Sequence, residues 1–169
     1  MKAKYCLDTS GISTPVVELP DDVHERLWTN VSAIVKSGIF CWNAEIAKEM
    51  LSIPGPIGAG LQSCNGSCCH EIGKGAWPWE SYIKINADWQ VAYARYISEY
   101  QNNLKNTIGL NDMSIVALSK ALGLPVVSSE TRILVQQNTK KIKIPNLCDL
   151  TGVKHLTFHE FCRAEGVKG

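Results

Sequence analysis

The chain has no long apolar run. Its opening residues, MKAKYCLDTS, mix charged and apolar side chains, so neither a secretory signal nor a membrane-spanning segment is expected. It has no excess charge of either sign: 17 Lys and Arg against 16 Asp and Glu leave a formal net charge of +1. That excludes a global basic field of the kind that draws in nucleic acid, while a local patch would still suffice. It lacks an even cysteine framework. Seven cysteines in a chain without a leader point to reduced thiols and a cytoplasmic setting, and Cys6, Cys41, Cys148 and Cys162 read as small buried apolar side chains. Internal repeats, low-complexity tracts, a Gly-rich phosphate loop and a G-x-S-x-G elbow are all missing. What remains, 169 residues with 45% hydrophobic and 20% charged side chains, is enough for one globular domain with a full core.

The most informative stretch is Leu110 to Glu130. Asn111 is a good helix-capping type, and Asp112 suits the positive end of a helix dipole. Ile115, Val116, Leu118 and Leu122 form an apolar stripe, Gly123 offers a left-handed stop, and Pro125 forbids continuation. Val126 and Val127 then read as a short buried strand with Glu130 beyond its end. Earlier, Ala3 to Leu7 reads as a central strand closed by Asp8. Residues 12–20 read as irregular, with Pro15 and Pro20. Asp21-Asp22 opens an amphipathic helix through Val23, Leu27, Val31, Ile34 and Val35 that Gly38 stops, and residues 39–42 form a second strand. Asn43 caps a short helix carrying Glu45 and Glu49 one turn apart.

Residues 52–85 read as a long Gly/Pro/Cys-rich loop or insertion within a single domain spanning 1–169. Cys64, Cys68, Cys69 and His70 suggest zinc or redox chemistry, but the spacing lacks a paired CxxC and a second cluster. From Asn86 to about Leu104 the apolar and aromatic spacing of Trp89, Tyr93, Tyr96, Ile97, Tyr100 and Leu104 predicts one long helix with a core or subunit-seam face. Arg132 to Gln137 reads as a short helix or turn. Residues 140–145, KKIKIP, alternate like an edge strand ended by Pro145; the lysines protect that edge or touch phosphates. Residues 148–156 read as a short helix and loop, and Thr157 with Glu160 as a capping box for a last helix.

Strands alternating with helices predict a three-layer α/β/α sandwich around a central, mostly parallel sheet. In that plan Asp8, Asp112, Glu130 and one of Glu45 or Glu49 gather on one rim. Four such acids repel unless a divalent cation neutralises them, and an all-oxygen set suits Mg²⁺ or Mn²⁺. A cation held this way can activate water against a phosphodiester.

The residues Tyr5 to Ser10 (YCLDTS), Phe40 to Met50 (FCWNAEIAKEM), Asn111-Asp112 through Ala121-Leu122-Gly123, and Val126 to Glu130 (VVSSE) occur in an order that resembles the PIN-domain nucleases, the family that includes VapC toxins. The tail from Ile144 to Phe161 is similar to a poorly characterised PIN-like branch. The resemblance implies a metal-dependent ribonuclease, with Asp8, Glu49, Asp112 and Glu130 as catalytic and metal-holding acids and Ser10 and Ser128 orienting them. It places the family's glutamate on Glu49 and leaves Glu45 as the alternative acid. It also implies RNA as substrate, a homodimer and an antitoxin partner, away from membranes. Glu130 stands where many family members have aspartate, and Ser128 where they have threonine. This departure motivates a second expectation, a catalytically silent PIN-like module that binds RNA or protein.

Overall fold

The computed structural model describes residues 3–168. Five parallel strands form its centre: β1 (Tyr5–Leu7), β2 (Phe40–Asn43), β3 (Cys69–His70), β4 (Val126–Val127) and β5 (His155–Leu156). Their order is β3-β2-β1-β4-β5. Cys6 registers with Cys41 on one side and with Val126 on the other. The chain therefore builds outward through β2 and β3, then returns across β1 to add β4 and β5. The crevice between the carboxyl ends of β1 and β4 is the switch point where open parallel sheets place their sites.

Eight α-helices flank the sheet among the described residues: α1 (Ser10–Glu18), α2 (Glu25–Lys36), α3 (Ala44–Met50), α4 (Gly55–Cys68), α5 (Trp79–Ala92), α6 (Leu110–Leu122), α7 (Ile144–Thr151) and α8 (Phe158–Ala164). Alternate strand residues face opposite layers. Tyr5 and Phe40 point to one side, where their rings meet Phe161 of α8 at 5.4 and 4.8 Å, and Trp28 of α2 stacks on Phe158 at 5.7 Å. Cys6 and Cys41 point to the other, which α6 covers with α5 and α7 beside it. The result is the expected α/β/α sandwich. Residues 113–119 of α6 are buried all round, as befits a helix held between the sheet and two neighbours. Gly123 ends α6 at φ +66°, and Pro125 stands two residues beyond.

Several expectations need correction. Residues 52–85 are not an inserted loop. α4 lies along α2, and β3 extends the sheet beyond β2 through the pairs Trp42–Cys69 and Asn43–His70. Gly and Ser hid this helix because neither marks an apolar face, yet Ile57, Leu61, Cys64 and Cys68 are buried along it. Residues 12–18 are helical despite Pro15. Gly11 in the first turn of α1 sits so close to β4 that a Cβ there would lie 2.8 Å from the Val127 carbonyl. α2 starts at Glu25 rather than at Asp21, after a turn on the Pro20 carbonyl, and Val23 stays exposed.

The long aromatic helix is broken. α5 stops at Ala92, two 3-10 turns follow, and Ile97 bridges Ile108 in extended conformation. Asn102, Asn103 and Asn106 take positive φ there, turn chemistry that the aromatic spacing overshadowed. Residues 132–137 form no helix, and 140–145 form no strand. Ile142 and Ile144 alternate because both plug the core, and Pro145 begins α7 instead of ending a strand. Residues 148–156 divide between the end of α7 and β5. The Thr157–Glu160 capping box is present: the Thr157 N–H donates to Glu160 at 2.8 Å and the Glu160 N–H to Thr157 at 3.3 Å. Among the described residues no helix is long and apolar enough to cross a membrane.

Candidate active site

β1 ends at Leu7, and the Asp8 N–H still pairs with the Val127 carbonyl at 3.0 Å, so Asp8 stands where β1 and β4 part. The chain then turns into α1. Ser10 closes that turn: its N–H donates to Asp8 Oδ2 at 3.0 Å, and its hydroxyl donates to the same oxygen. The Ser10 hydroxyl in turn accepts the Ser129 N–H at 3.2 Å, which ties the ends of β1 and β4 together. Asp8 is 3% exposed. Burial, reinforced by the charges of Glu130 and Glu49, lifts its carboxyl to about 6 against the pull of Ser10.

Asp112 reaches the same place from the first turn of α6. Its Oδ2 accepts the Gly109 N–H at 3.2 Å, and Gly109, not Asn111, is the capping residue. Burial and the nearby charges of Asp8, Glu130 and Glu49 raise its carboxyl to about 7. Among the described residues, Oδ1 of Asp8 and Oδ1 of Asp112 accept no hydrogen bond, and no cation lies beside either.

α3 contributes Glu49. Thr9 donates to one of its carboxylate oxygens at 2.9 Å and Asn111 to the other at 2.8 Å, so β1, α3 and α6 are linked through this side chain. Glu45, one turn earlier on α3, is exposed and pairs with Lys48 at 3.0 Å. The two glutamates are thus separated by their surroundings. Asn43 anchors α3 from the end of β2. It caps the Ile46 N–H at 3.0 Å and donates to Ser114 of α6 at 2.8 Å and to Tyr82 of α5 at 3.1 Å.

Glu130 lies past β4 and is held differently. It accepts from Lys143 Nζ at 3.2 Å and from the Ile144 N–H at 2.7 Å, where α7 begins. Ser128 does not touch a carboxylate. Its hydroxyl lies 2.8 Å from His155 Nε2 and accepts the Glu130 N–H at 3.3 Å, which positions the backbone rather than the acid. Burial holds His155 below the usual imidazole range.

The four acids feel one another's charge, but they do not form a closed coordination shell. Among the described residues no set of three or more His, Cys, Asp or Glu side chains is arranged to hold a metal ion as it stands. The donor chemistry fits a hard divalent cation: every candidate ligand is an oxygen, and the two aspartates each present one free oxygen in a buried, anionic crevice. Cys64 and Cys68 touch, but Cys64, Cys68, Cys69 and His70 form no metal-holding group among the described residues. Cys64 donates towards the Val35 carbonyl at 3.6 Å, Cys68 is buried, and the His70 ring packs 4.9 Å from Trp77.

Thr9, Asn111, Lys143 and His155 were not read as site residues from the sequence. Thr9 and Asn111 adjoin Asp8 and Asp112, which is a usable local signal. Lys143 and His155 reach the rim only through the packing of α7 and β5, and nothing in their neighbourhood announces it.

Fold and rim together define an α/β/α protein with carboxylates collected at the switch point of a parallel sheet. More particularly, the chain belongs to the family described as Domain of unknown function (DUF4411), whose model matches residues 5–169. No curated protein matches the chain.

Proposed function

We propose that this protein is a metal-dependent ribonuclease of the PIN type, hydrolysing RNA phosphodiesters with Mg²⁺ or Mn²⁺. The observation that carries the reading is the pair Asp8 and Asp112. They are two buried carboxyls at the β1–β4 switch point, each with a free oxygen, each raised by burial and by neighbouring negative charge, and neither beside a cation. A protein gains nothing in stability from such a pair, so a bound cation is the natural reason for it.

Asp8 and Asp112 would hold the cation, with Glu49 beside them and Glu130 at the margin. When bound, the cation would lower the pKa of a water and stabilise charge on the phosphate. Ser10 fixes Asp8 so that one oxygen stays turned to its own loop and the other to the crevice. Thr9 and Asn111 each donate to one carboxylate oxygen of Glu49 and hold it beside the two aspartates. The Gly109 N–H holds Asp112 at the helix start, where the dipole favours its anion. A homodimer and an antitoxin partner belong to the same proposal through the PIN resemblance, and a cytoplasmic setting through the odd cysteine count.

The test is Mn²⁺ binding by calorimetry, with RNA cleavage measured on the same samples, for the parent and for Asp8→Asn and Asp112→Asn. Loss of both in folded variants supports the nuclease. Cleavage by these variants at the parent's rate sinks it. The second reading, a silent module that binds RNA or protein, is favoured by Glu130, whose carboxylate is already occupied by Lys143 and α7. RNA binding without divalent-dependent cleavage in the parent would select that reading.

A further inference from the structure

Residues 131–143 lead from the site to α7 without regular structure. They hold four basic side chains, Arg132, Lys140, Lys141 and Lys143, and no acid. Two of those charges are answered. Arg132 forms a two-pronged pair with Asp149 at 2.8 and 3.0 Å, and Lys143 pairs with Glu130. Lys140 and Lys141 are exposed and have no acidic partner among the described residues.

The segment has a closed neck and an open tip. Asn146, which is buried, accepts N–H bonds from Ile133 at 3.2 Å and Lys143 at 3.1 Å, and donates to the Ile133 carbonyl at 2.9 Å. Glu130 seals the same neck through Lys143 and Ile144. At the tip, the Thr139 N–H reaches the Gln136 carbonyl at 3.1 Å, Asn138 takes φ 63°, and the Lys141 N–H donates to Thr139 at 3.0 Å. The two free lysines thus leave a defined turn. Lys140 is three residues from Lys143, so their backbones lie within roughly 10 Å, and Lys143 touches a rim acid.

Protection of a sheet edge does not explain these lysines, because no strand runs there for them to protect. The rim itself sets a different problem. Four carboxylates repel a polyanion, so a phosphodiester strand can be held at the crevice only by cations alongside it. We infer that residues 131–143 grip the sugar–phosphate backbone of a single-stranded RNA at the acidic crevice, with Lys140 and Lys141 as the phosphate contacts and Asn146 holding the grip in place. The inference rests on the nuclease reading for the identity of the polyanion.

The experiment is fluorescence anisotropy of an end-labelled single-stranded RNA with the full chain in EDTA, where no divalent-dependent cleavage occurs, titrated between roughly 50 and 200 mM salt. In the double variant Lys140→Ala/Lys141→Ala, the slope of log affinity against log salt should become shallower by about 1.4, the loss of two phosphate contacts on a single strand. Affinity at low salt should fall about tenfold or more, while Lys140→Arg/Lys141→Arg keeps both. Both side chains are exposed, so the melting temperature should not move. Unchanged slope and affinity in the alanine variant, or no RNA binding by the parent, overturns the grip. RNA held through these lysines but left uncut with Mn²⁺ would keep the grip and remove the nuclease. RNA cut by the parent, and bound as tightly and cut as fast by the alanine variant, would do the reverse.

Discussion

Asp8, Glu49, Asp112 and Glu130 stand at the carboxyl ends of β1 and β4 and on the helices facing them. Cys64, Cys68, Cys69 and His70 stand where α4 runs into β3. In the sequence both groups have the residue types of a ligand set, and the second is the denser in number of residues per stretch of chain. The fold treats them in opposite ways. Cys64 and Cys68 are buried and Cys69 is half-buried; burial raises Cys68 and Cys69 and lowers His70, so these three favour their uncharged forms. The acids are brought together with hydrogen bonds that hold their orientation, and the two aspartates have no cation to answer them. Burying a neutral thiol costs little, whereas gathering carboxylates costs a good deal. The unfavourable arrangement is therefore the one that calls for a function.

The largest effect that sharpens this contrast is on activity. Asp112→Asn and Asp8→Asn should each lower Mn²⁺-dependent RNA hydrolysis by about a hundredfold or more while Glu45→Gln changes it less than about twofold, read by initial rates on one RNA. A loss in Glu45→Gln as deep as in Glu49→Gln would erase the distinction between the two glutamates of α3.

Next in size is a stability effect with a defined sign. The raised carboxyls of Asp8 and Asp112, about 6 and about 7, bind protons in the folded chain over a range where the unfolded chain, near 3.8, has released them. Their contribution to stability is complete below about pH 4 and is lost as pH rises through 6 and 7. Metal-free Asp112→Asn should therefore be more stable than the parent at pH 8, on the order of 2 kcal/mol, and the gap should close towards pH 4. His70 and His155, both lowered by burial, act in the opposite direction in both proteins, so the difference between them isolates the acid. Urea melts in EDTA at pH 4, 6 and 8 measure it. A parent more stable than the variant at pH 8 would mean that the acids are not strained.

Smaller again is the response of the thiols. Cys64→Ser and Cys68→Ser should each cost roughly 1 kcal/mol of stability through a buried hydroxyl, and should leave Mn²⁺-dependent cleavage within about twofold of the parent. Stoichiometric zinc in the parent, lost in these variants, would restore the metal reading of that segment and break the comparison.

The acids that end or begin elements were legible because local chemistry marks those positions. Asp8 follows an apolar run, Asp112 sits in a helix start, and Glu130 lies past the paired valines. Asn43 and Thr157 were legible for the same reason, since a cap is a contact within four residues. α4 was not, because its buried side is made of Gly, Cys and two large apolar residues, and a short edge strand such as Cys69–His70 carries no pattern at all. The break after Ala92 was signalled by its asparagines but outweighed by aromatic spacing that continued by coincidence.

By itself the sequence determined the strands β1, β2 and β4, the caps at Asn43 and Thr157, the stops at Gly38 and Gly123, and the three acids tied to element ends. These depend on neighbours a few residues apart. Tertiary structure alone decided that β1 lies between β2 and β4, that Thr9 and Asn111 hold Glu49 while Glu45 pairs with Lys48, that Glu130 is shared with Lys143 and α7, and that Cys64 and Cys68 are core. Those outcomes depend on which surfaces meet across tens of residues, where burial and charge act through space and leave no local spacing to read.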